Sequence, residues 1–296
     1  MSFFSLIRFI TKHPLNRDHK IRSVIRFAKW QIGSRLVPGT IVFDWINGSK
    51  FLVRNGETGL TGNIYTGLHE FSDMAFLLHY LNKDDLFVDV GANVGSYTIL
   101  ACSAIGAKGI AFEPVPSTYK RLIDNIHINH IAEKVVCINK GVGSDKGTIK
   151  FTSGNDTMNH AVATGELCND SISVDIISLN TALNGMSPSF LKIDVEGMEK
   201  PVIDGAHEIL KNKSLNCILM ELNGSGGRYG YNEEQILNAL MDHGFKTYQY
   251  DPFSRNLINL NGGKSNSGNT LFVRDERIAK DRLKKAALIT INGVRF

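Results

Sequence analysis

The chain has 296 residues, of which 43% are hydrophobic and 21% charged, so it can form one large domain with a buried core, and global disorder is excluded. The net charge of +4 is unevenly distributed, because residues 1–36 carry eight lysines or arginines against one acid, whereas the remainder has an excess of acids. A basic arm on a mildly acidic body is atypical of nucleic-acid-binding proteins, whose basic patch covers the working domain, so we expect no nucleic-acid partner.

The basic arm is expected to be a helical extension. Within residues 21–32, apolar side chains share one helical face: Ile21, Val24, Ile25, Ala28 and Ile32. Our interpretation is that this face packs onto the main domain. The alternative is a basic amphipathic helix on anionic lipid, which makes residues 1–36 a candidate for peripheral contact with the inner face of a membrane.

Two features of the sequence indicate the cellular compartment of the protein: the apolar run near its N-terminus and the surroundings of its cysteines. The apolar run at 3–10 is too short to span a bilayer, is interrupted by Arg8, and lacks the flanks of a signal peptide. The four cysteines form no C-x-x-C pair and lie in apolar surroundings typical of buried, reduced thiols: Cys102, Cys137, Cys168 and Cys217. These features favour a cytoplasmic protein.

After a hairpin predicted at 41–54, short apolar runs alternate with amphipathic segments. The predicted strands are 86–90, 109–113, 135–138, 148–151, 172–179, 190–195, 216–221, 245–250 and 270–273. The predicted helices are 69–81, 96–105, 117–129, 199–210, 233–241 and 275–287. Apolar strands alternating with helices indicate a mostly parallel sheet with helices on both faces, in which ligands bind beyond the carboxyl ends of the strands.

A glycine-rich turn follows the first strand of this sheet, where Asp89 precedes Gly91, Asn93 and Gly95. The turn opens a helix whose N-terminal amides can contact a ligand. The glycine spacing is not G-x-G-x-x-G, and Asp89 would repel a pyrophosphate but suit an ammonium group. Glu113 ends the next strand, where an acid accepts hydrogen bonds from ribose hydroxyls. These residues predict a nucleoside cofactor with a positive group, with NAD as the alternative.

The most informative segment is L-K-I-D-V-E-G at 191–197. Alternation along a strand places Lys192, Asp194 and Glu196 on one face. Burying three charges at the end of a strand costs free energy unless they bind a ligand or pair with one another. The alternative to a role in ligand binding or catalysis is a structural ion pair of Lys192 with Asp194 or Glu196. We predict that Asp194 is catalytic and that Lys192 acts beside it.

Further candidates lie in the irregular segment 141–171 and after the strand that ends at Glu221. His160 is a candidate base, with a surface or packing role as the alternative. Glu221 and Asn223 are candidate substrate-binding residues, together with Glu196. Glu221 could join Asp194 in holding a divalent metal, because oxygen-rich clusters favour magnesium or calcium, but a metal is not predicted.

Three segments resemble the signatures of FkbM-type methyltransferases: F-V-D-V-G-A-N-V-G-S-Y-T at 87–98, A-F-E-P at 111–114 and L-K-I-D-V-E-G-M-E at 191–199. The resemblance covers roughly residues 60–275. It implies a Rossmann-like, class I methyltransferase α/β fold with a seven-stranded, mostly parallel sheet. The expected organisation is a basic helical extension and hairpin at 1–60, a methyltransferase domain at 61–275, and a peripheral helix and tail at 276–296.

The resemblance also implies S-adenosylmethionine as the methyl donor and a hydroxyl group of a sugar, glycan, glycolipid or natural product as the acceptor. Carried over, the turn at 89–95 would line the methionine end of the donor and Glu113 its ribose. Glu70 stands where relatives often have an acid and joins the cofactor-binding candidates. Asn180 is a departure, because many relatives have aspartate there.

The implied chemistry assigns a role to Asp194. The donor is already activated, so the protein mainly positions the acceptor and excludes water. A general base removes the proton of the acceptor hydroxyl, and we predict that Asp194 is this base.

The main alternative function is an NAD-dependent oxidoreductase. A base-modifying nucleic-acid methyltransferase is disfavoured, because the strand predicted at 190–195 ends in D-V-E-G, at the place where an N/D-P-P-Y turn would clasp a flipped base. A non-enzymatic cofactor-binding protein is the third alternative.

Overall fold

The computed structural model describes residues 3–37, 39–54, 56–152, 159–163, 165–167 and 170–296. Its strands are β1 (Thr40–Asp44), β2 (Lys50–Arg54), β3 (Leu86–Val90), β4 (Lys108–Phe112), β5 (Val135–Ile138), β6 (Gly141–Val142), β7 (Gly147–Thr152), β8 (Ser171–Ile177), β9 (Phe190–Ile193), β10 (Cys217–Glu221), β11 (Lys246–Asp251), β12 (Asn256–Asn259), β13 (Asn269–Val273), β14 (Thr290–Ile291) and β15 (Val294–Arg295).

The helices are α1 (Phe3–Lys12), α2 (Lys20–Leu36), α3 (Thr58–Thr66), α4 (Phe71–Tyr80), α5 (Ser96–Ile99), α6 (Pro116–Ile128), α7 (Leu179–Ala182), α8 (Glu199–Asp204), α9 (His207–Lys211), α10 (Glu233–Asp242) and α11 (Glu276–Lys285). A π-helical segment, Leu100–Ile105, continues α5. None of the described helices is both long enough and apolar enough to cross a bilayer.

Within the described ranges, the largest sheet has eight strands in the order β12-β11-β13-β10-β9-β3-β4-β5. Strands β5, β4, β3, β9 and β10 are mutually parallel, and β13 runs antiparallel to both of its neighbours. The predicted Rossmann-like α/β fold is confirmed. The sheet has one strand more than predicted, because the chain turns back after β11 and β12 pairs with its outer edge.

Both faces of the sheet are covered, as continuous apolar strands require. In β3 and β9, Phe87 lies beside Phe190 in one hydrophobic core, and Val88 lies beside Leu191 in the core on the opposite face. Alternation then brings the next pair of neighbours, Asp89 and Lys192, back to the face of the two phenylalanines. Two charged residues therefore lie together near the carboxyl end of the sheet.

The hairpin of β1 and β2 is fastened to the main sheet layer through α6. The Asn125 side chain accepts a hydrogen bond of 2.8 Å from the backbone N–H of Leu52, and that of Asn129 accepts one of 2.7 Å from Lys50. These bonds satisfy backbone donors on the free edge of β2. A separate three-stranded sheet has the order β6-β8-β7. Two of its strands, β6 and β7, lie within residues 141–171, which the sequence predicts to be mostly irregular.

The predicted helix near residues 21–32 exists as α2, but the predicted packing face is wrong. Ile21 and Ile32 are exposed, whereas Phe27 and Trp30 on the opposite side are buried. The two aromatic side chains remove more apolar surface from water than the isoleucines would, so they determine which face packs.

The described cysteines are free thiols. Cys102 and Cys217 are buried as predicted, whereas Cys137 is only partly buried because it lies on the edge strand β5. Cys168 lies outside the described residues.

Candidate active site

A pocket of about 390 Å³ opens at the carboxyl ends of β3, β4, β9 and β10. This is the edge at which parallel sheets bind ligands, and the volume suits a small organic molecule. Eight of the predicted site residues line it: Glu70, Gly91, Asn93, Glu113, Lys192, Asp194, Glu196 and Glu221. The structure therefore brings together residues that lie far apart in the chain, from Glu70 to Glu221.

The glycine-rich turn after β3 lies against the chain that leaves β9. Gly91 has a φ of +80°, and a Cβ at this position would overlap the backbone carbonyl oxygen of Asp194. Asn93 also adopts a left-handed conformation, with a φ of +51°. Glycine at position 91 thus leaves room for a close approach of two backbone segments at the pocket wall.

Glu113 is positioned by the backbone on both sides of it. Its Oε2 accepts a 3.0 Å hydrogen bond from the N–H of Asn93, and its Oε1 accepts a 2.9 Å bond from the N–H of Val115. Burial raises the pKa of Glu113 to about 7, although these bonds oppose the shift. Each carboxylate oxygen keeps a further lone pair, so Glu113 can still accept a hydrogen bond from a ligand hydroxyl in the pocket.

Lys192 is surrounded by acids. Its Nζ lies 3.0 Å from Oδ2 of Asp194 and 4.8 Å from the centre of the Tyr97 ring. Burial alone would lower the pKa of Lys192, but the charges of Asp194, Asp89 and Glu70 outweigh burial and raise it. The lysine is therefore held as a cation at the pocket wall, and Asp194 has one oxygen fixed by it.

Asp89 lies beneath the pocket, without lining it. It is fully buried, and its Oδ2 accepts a 2.6 Å hydrogen bond from the hydroxyl of Thr98. Its Oδ1 has no hydrogen-bond partner among the residues that the structure describes. Burial raises the pKa of Asp89, opposed first by the charge of Lys192. Asp89 therefore affects the pocket through its charge interaction with Lys192, without lining the pocket itself.

Three carboxylates meet at the end of the pocket formed by β9 and β10. Asp194, Glu196 and Glu221 each offer an oxygen, and these atoms lie within 4.8 Å of one another. Strand β9 ends at Ile193, two residues earlier than predicted, and Glu196 adopts a φ of +53° in the following turn. Burial and the neighbouring carboxylates raise the pKa of both Glu196 and Glu221. The group could accept hydrogen bonds from hydroxyls or hold a divalent cation.

Glu70 belongs to a hydrogen-bond network that sequence reasoning missed. The hydroxyl of Tyr97 donates to Oε2 of Glu70 over 2.8 Å, and Nδ2 of Asn269 donates to Oε1 over 2.9 Å. The same amide nitrogen lies 3.0 Å from Oδ2 of Asp73. Tyr97 stands within the first quoted signature, which could have singled it out. Asn269 gives no signal in chain order, because it arrives through the pairing of β13 with β10 opposite Glu221.

Gly95 and Asn223 are two of the four predicted site residues that do not line the pocket, the others being Asp89 and His160. Gly95 starts α5 with a φ of +95°, and a Cβ there would lie 2.6 Å from a methyl carbon of Leu122, so it gives α6 room to pack. Asn223 is exposed and accepts a hydrogen bond from the N–H of Ser225. Both have local structural roles in this arrangement.

The candidate base His160 is not among the pocket-lining residues either, although its neighbour Asn159 is. The imidazole Nε2 of His160 lies 2.9 Å from Oε1 of Glu166. Asn180, the departure from the resemblance, also lies away from the pocket lining. Its side chain accepts a hydrogen bond from the N–H of Glu208 at the start of α9. An amide serves this capping purpose as well as a carboxylate would.

Sequence comparisons relate the chain to methyltransferases. The family model for the methyltransferase FkbM domain matches residues 89–247, which are more than half of the chain. The hexuronic acid methyltransferase AglP of Haloferax volcanii is 33% identical over 149 residues, which cover 49% of this chain and 59% of that protein. The chain therefore spans less than two thirds of the length of this relative.

Two further matches are more distant. The methyltransferase sdnD of Sordaria araneosa is 27% identical over 209 residues and covers 59% of this chain and 79% of that protein. Among solved structures, the precorrin-6y C5,15-methyltransferase of Geobacter metallireducens has a TM-score of 0.41 at 14% identity, covering 75% of this chain and 92% of that chain.

Proposed function

The chain belongs to the methyltransferase FkbM domain family, and from that premise we propose that it transfers the methyl group of S-adenosylmethionine to a hydroxyl group of a sugar-containing acceptor. The observation that carries the proposal is that one pocket holds both the Glu113 carboxylate and the pair of Asp194 and Lys192. Glu113 provides a place for a nucleoside, and the pair of Asp194 and Lys192 provides a place for the reacting hydroxyl group. Family membership gives no support to the NAD-dependent oxidoreductase alternative.

The donor would occupy the part of the pocket between β3 and β4. Glu113 would accept hydrogen bonds from its ribose, and the turn that contains Gly91 and Asn93 would pass close to its methionine portion. Val115 and Phe112 supply apolar surface beside Glu113. When bound, S-adenosylmethionine supplies a methyl group that is already activated on a sulfonium.

The protein's own contribution is to position the acceptor and move its proton. In our proposal Oδ1 of Asp194 receives the proton of the acceptor hydroxyl, since Oδ2 is held by Lys192 over 3.0 Å. Lys192 is a positioning residue that holds Asp194 in its orientation through this hydrogen bond. The fixed geometry of the pair lowers the cost of bringing the acceptor into line.

The acceptor end of the pocket favours a molecule with several hydroxyl groups. Glu196 and Glu221 present carboxyl oxygens next to Asp194, and such oxygens accept hydrogen bonds from hydroxyls. The name of the Haloferax relative, a hexuronic acid methyltransferase, supports a sugar as the acceptor class. A natural product that carries hydroxyl groups is the second acceptor class.

The proposal is tested by methyl transfer from isotopically labelled S-adenosylmethionine to a panel of neutral oligosaccharides, uronic-acid oligosaccharides and polyhydroxylated non-sugar compounds. We expect label in a sugar fraction and a methyl ether in the product by mass spectrometry. Label that appears only in an amine, a carbon atom or a nucleic acid would contradict O-methylation. Mass spectrometry of glycans from cells with and without the gene then identifies the acceptor by its missing methyl ether.

A further inference from the structure

Helix α2 carries two apolar faces, of which the fold uses one. Its buried residues recur every three or four positions and face the domain: Ser23, Phe27, Trp30 and Ser34. A second set with helical spacing is exposed: Ile21, Ile25, Ala28, Ile32 and Leu36. At 100° per residue these two sets lie on opposite sides of the helix. We call the second set the outer stripe.

The outer stripe is a long apolar surface in water. Ile21 is 78% exposed, Ile32 61% and Leu36 75%, and Ile25 is about half exposed. Single exposed apolar residues are common, but a stripe of five along one helix forms a contiguous patch of the kind that marks an interaction site. The packing of the domain does not account for it, because Phe27 and Trp30 already supply the buried face.

Cations flank the outer stripe on both sides. Residues 20–36 contain five lysines or arginines and no acid. The helical angles place the exposed Arg22 and Lys29 along one side of the stripe and Arg35 along the other. Arg26 differs, since its guanidinium is turned inward and donates to the backbone carbonyl of Tyr65. The surface therefore combines an apolar centre with a positive rim.

A shallow groove of about 510 Å³ continues this surface toward β1. Ile25 and Phe43 contribute apolar atoms to it, and Arg22 and Lys29 contribute positive charge. Apolar surface next to cations suits a phosphate headgroup together with the first part of an acyl chain.

We propose that the outer stripe docks on the surface of an anionic lipid bilayer, with α2 lying in the plane of the interface. Burial of the isoleucines would supply apolar contact, and Arg22, Lys29 and Arg35 would attract anionic headgroups. A second copy of the chain is a poorer occupant, because a two-fold contact through this stripe would bring the same cations together. This inference does not depend on the methyl acceptor.

The proposal is tested by co-sedimentation of the full chain with vesicles of phosphatidylcholine alone or mixed with phosphatidylglycerol. We expect the protein to pellet with the mixed vesicles, and added salt to weaken the binding. The double substitution Ile25→Glu with Ile32→Glu should weaken partitioning by about tenfold or more, because it replaces buried apolar surface with negative charge. Arg22→Gln with Lys29→Gln should reduce the preference for phosphatidylglycerol.

The matched control is Ile258→Glu with Ile278→Glu, which introduces the same charges at residues 49% and 44% exposed in β12 and α11. We expect this variant to pellet like the wild type, and thermal unfolding establishes that all variants are folded. The proposal is overturned if the wild type stays in the supernatant with mixed vesicles or if both glutamate variants bind equally well. It is also overturned if the outer-stripe substitutions only convert a dimer into a monomer in sedimentation velocity.

Discussion

Nζ of Lys192 lies 3.0 Å from Oδ2 of Asp194, and Lys192 is also the strand neighbour of the buried Asp89. One cation thus joins an acid beneath the pocket to an acid that lines it. Without Lys192, two carboxylates would face each other in a region with little water, which is costly. The ion pair that we considered as a purely structural alternative is therefore present at the pocket wall, where it can also serve catalysis.

Asp194→Asn removes the proposed base with little change in shape. We expect the turnover rate to fall by about two to four orders of magnitude, as for other general bases. Binding of S-adenosylhomocysteine, measured by calorimetry, should be unchanged. Asp281→Asn in α11, an exposed residue, is the control and should retain wild-type turnover. Normal turnover in Asp194→Asn would remove this residue from the mechanism.

Lys192→Met tests whether the lysine acts on the base. Loss of the ammonium leaves Oδ2 of Asp194 without its partner at 3.0 Å, so the carboxylate is no longer oriented and the turnover rate should fall while the affinity for S-adenosylhomocysteine is unchanged. Lys192→Arg should restore much of the turnover rate, because it restores a cationic donor beside Asp194. A loss of turnover that is matched by a loss of thermal stability and is not rescued by Lys192→Arg would mean that Lys192 only stabilises the fold.

Asp73 is expected to make the free energy of unfolding fall as the pH rises. Burial, and then the charge of Glu70, raises the pKa of Asp73 to about 7 from its ordinary value of 3.8. Because the folded state binds this proton more tightly than the unfolded chain, the stabilisation it brings is present below pH 4 and is lost as the pH rises through 7.

Asp73→Asn removes this titration while Oδ1 of the amide can still accept the hydrogen bond from Asn269. We expect the variant to be more stable than the wild type at pH 8, by about 1–3 kcal/mol in the free energy of unfolding, with a much smaller difference at pH 5. Denaturant unfolding at the two pH values measures it. An equal effect at both would show that Asp73 does not titrate in this range.

A divalent metal is not required in our account, although Asp194, Glu196 and Glu221 could hold one. Lys192 already supplies a positive charge 3.0 Å from Asp194. We therefore expect dialysis against a chelator to leave the turnover rate unchanged. Activity that disappears on chelation and returns with magnesium would make the three acids a metal site.

Much of the sheet could be predicted because its parallel strands are short, mostly apolar runs that end beside a polar residue or a glycine. Strands β3 and β5 have the predicted bounds, and β4 differs by one residue at each end. Strand β12 could not be predicted in this way, since Asn256–Asn259 is an edge strand without a continuous apolar run. The packing face of α2 was missed because both faces have apolar residues at helical spacing, and only tertiary packing selects between them.

The site was predictable where a polar residue interrupts an apolar strand end, as at Glu113, Lys192 and Asp194. It was not predictable where contacts depend on the pairing of distant strands. Asn269 reaches Glu70 because β13 pairs with β10, which places Asn269 opposite Glu221. No local sequence pattern predicts this pairing. Asp89 was expected to line the methionine end of the donor, but it lies beneath the pocket because Thr98 and Lys192 pack around it.

Calorimetric titration with S-adenosylhomocysteine and with NADH, on the wild type, Glu113→Gln and the exposed control Glu133→Gln, tests the central claim most directly. We predict that S-adenosylhomocysteine binds the wild type and the control equally, that Glu113→Gln weakens it by about tenfold or more, and that NADH does not bind. Unchanged affinity in Glu113→Gln, or binding of NADH in preference, would contradict a methyl-donor site built around this carboxylate.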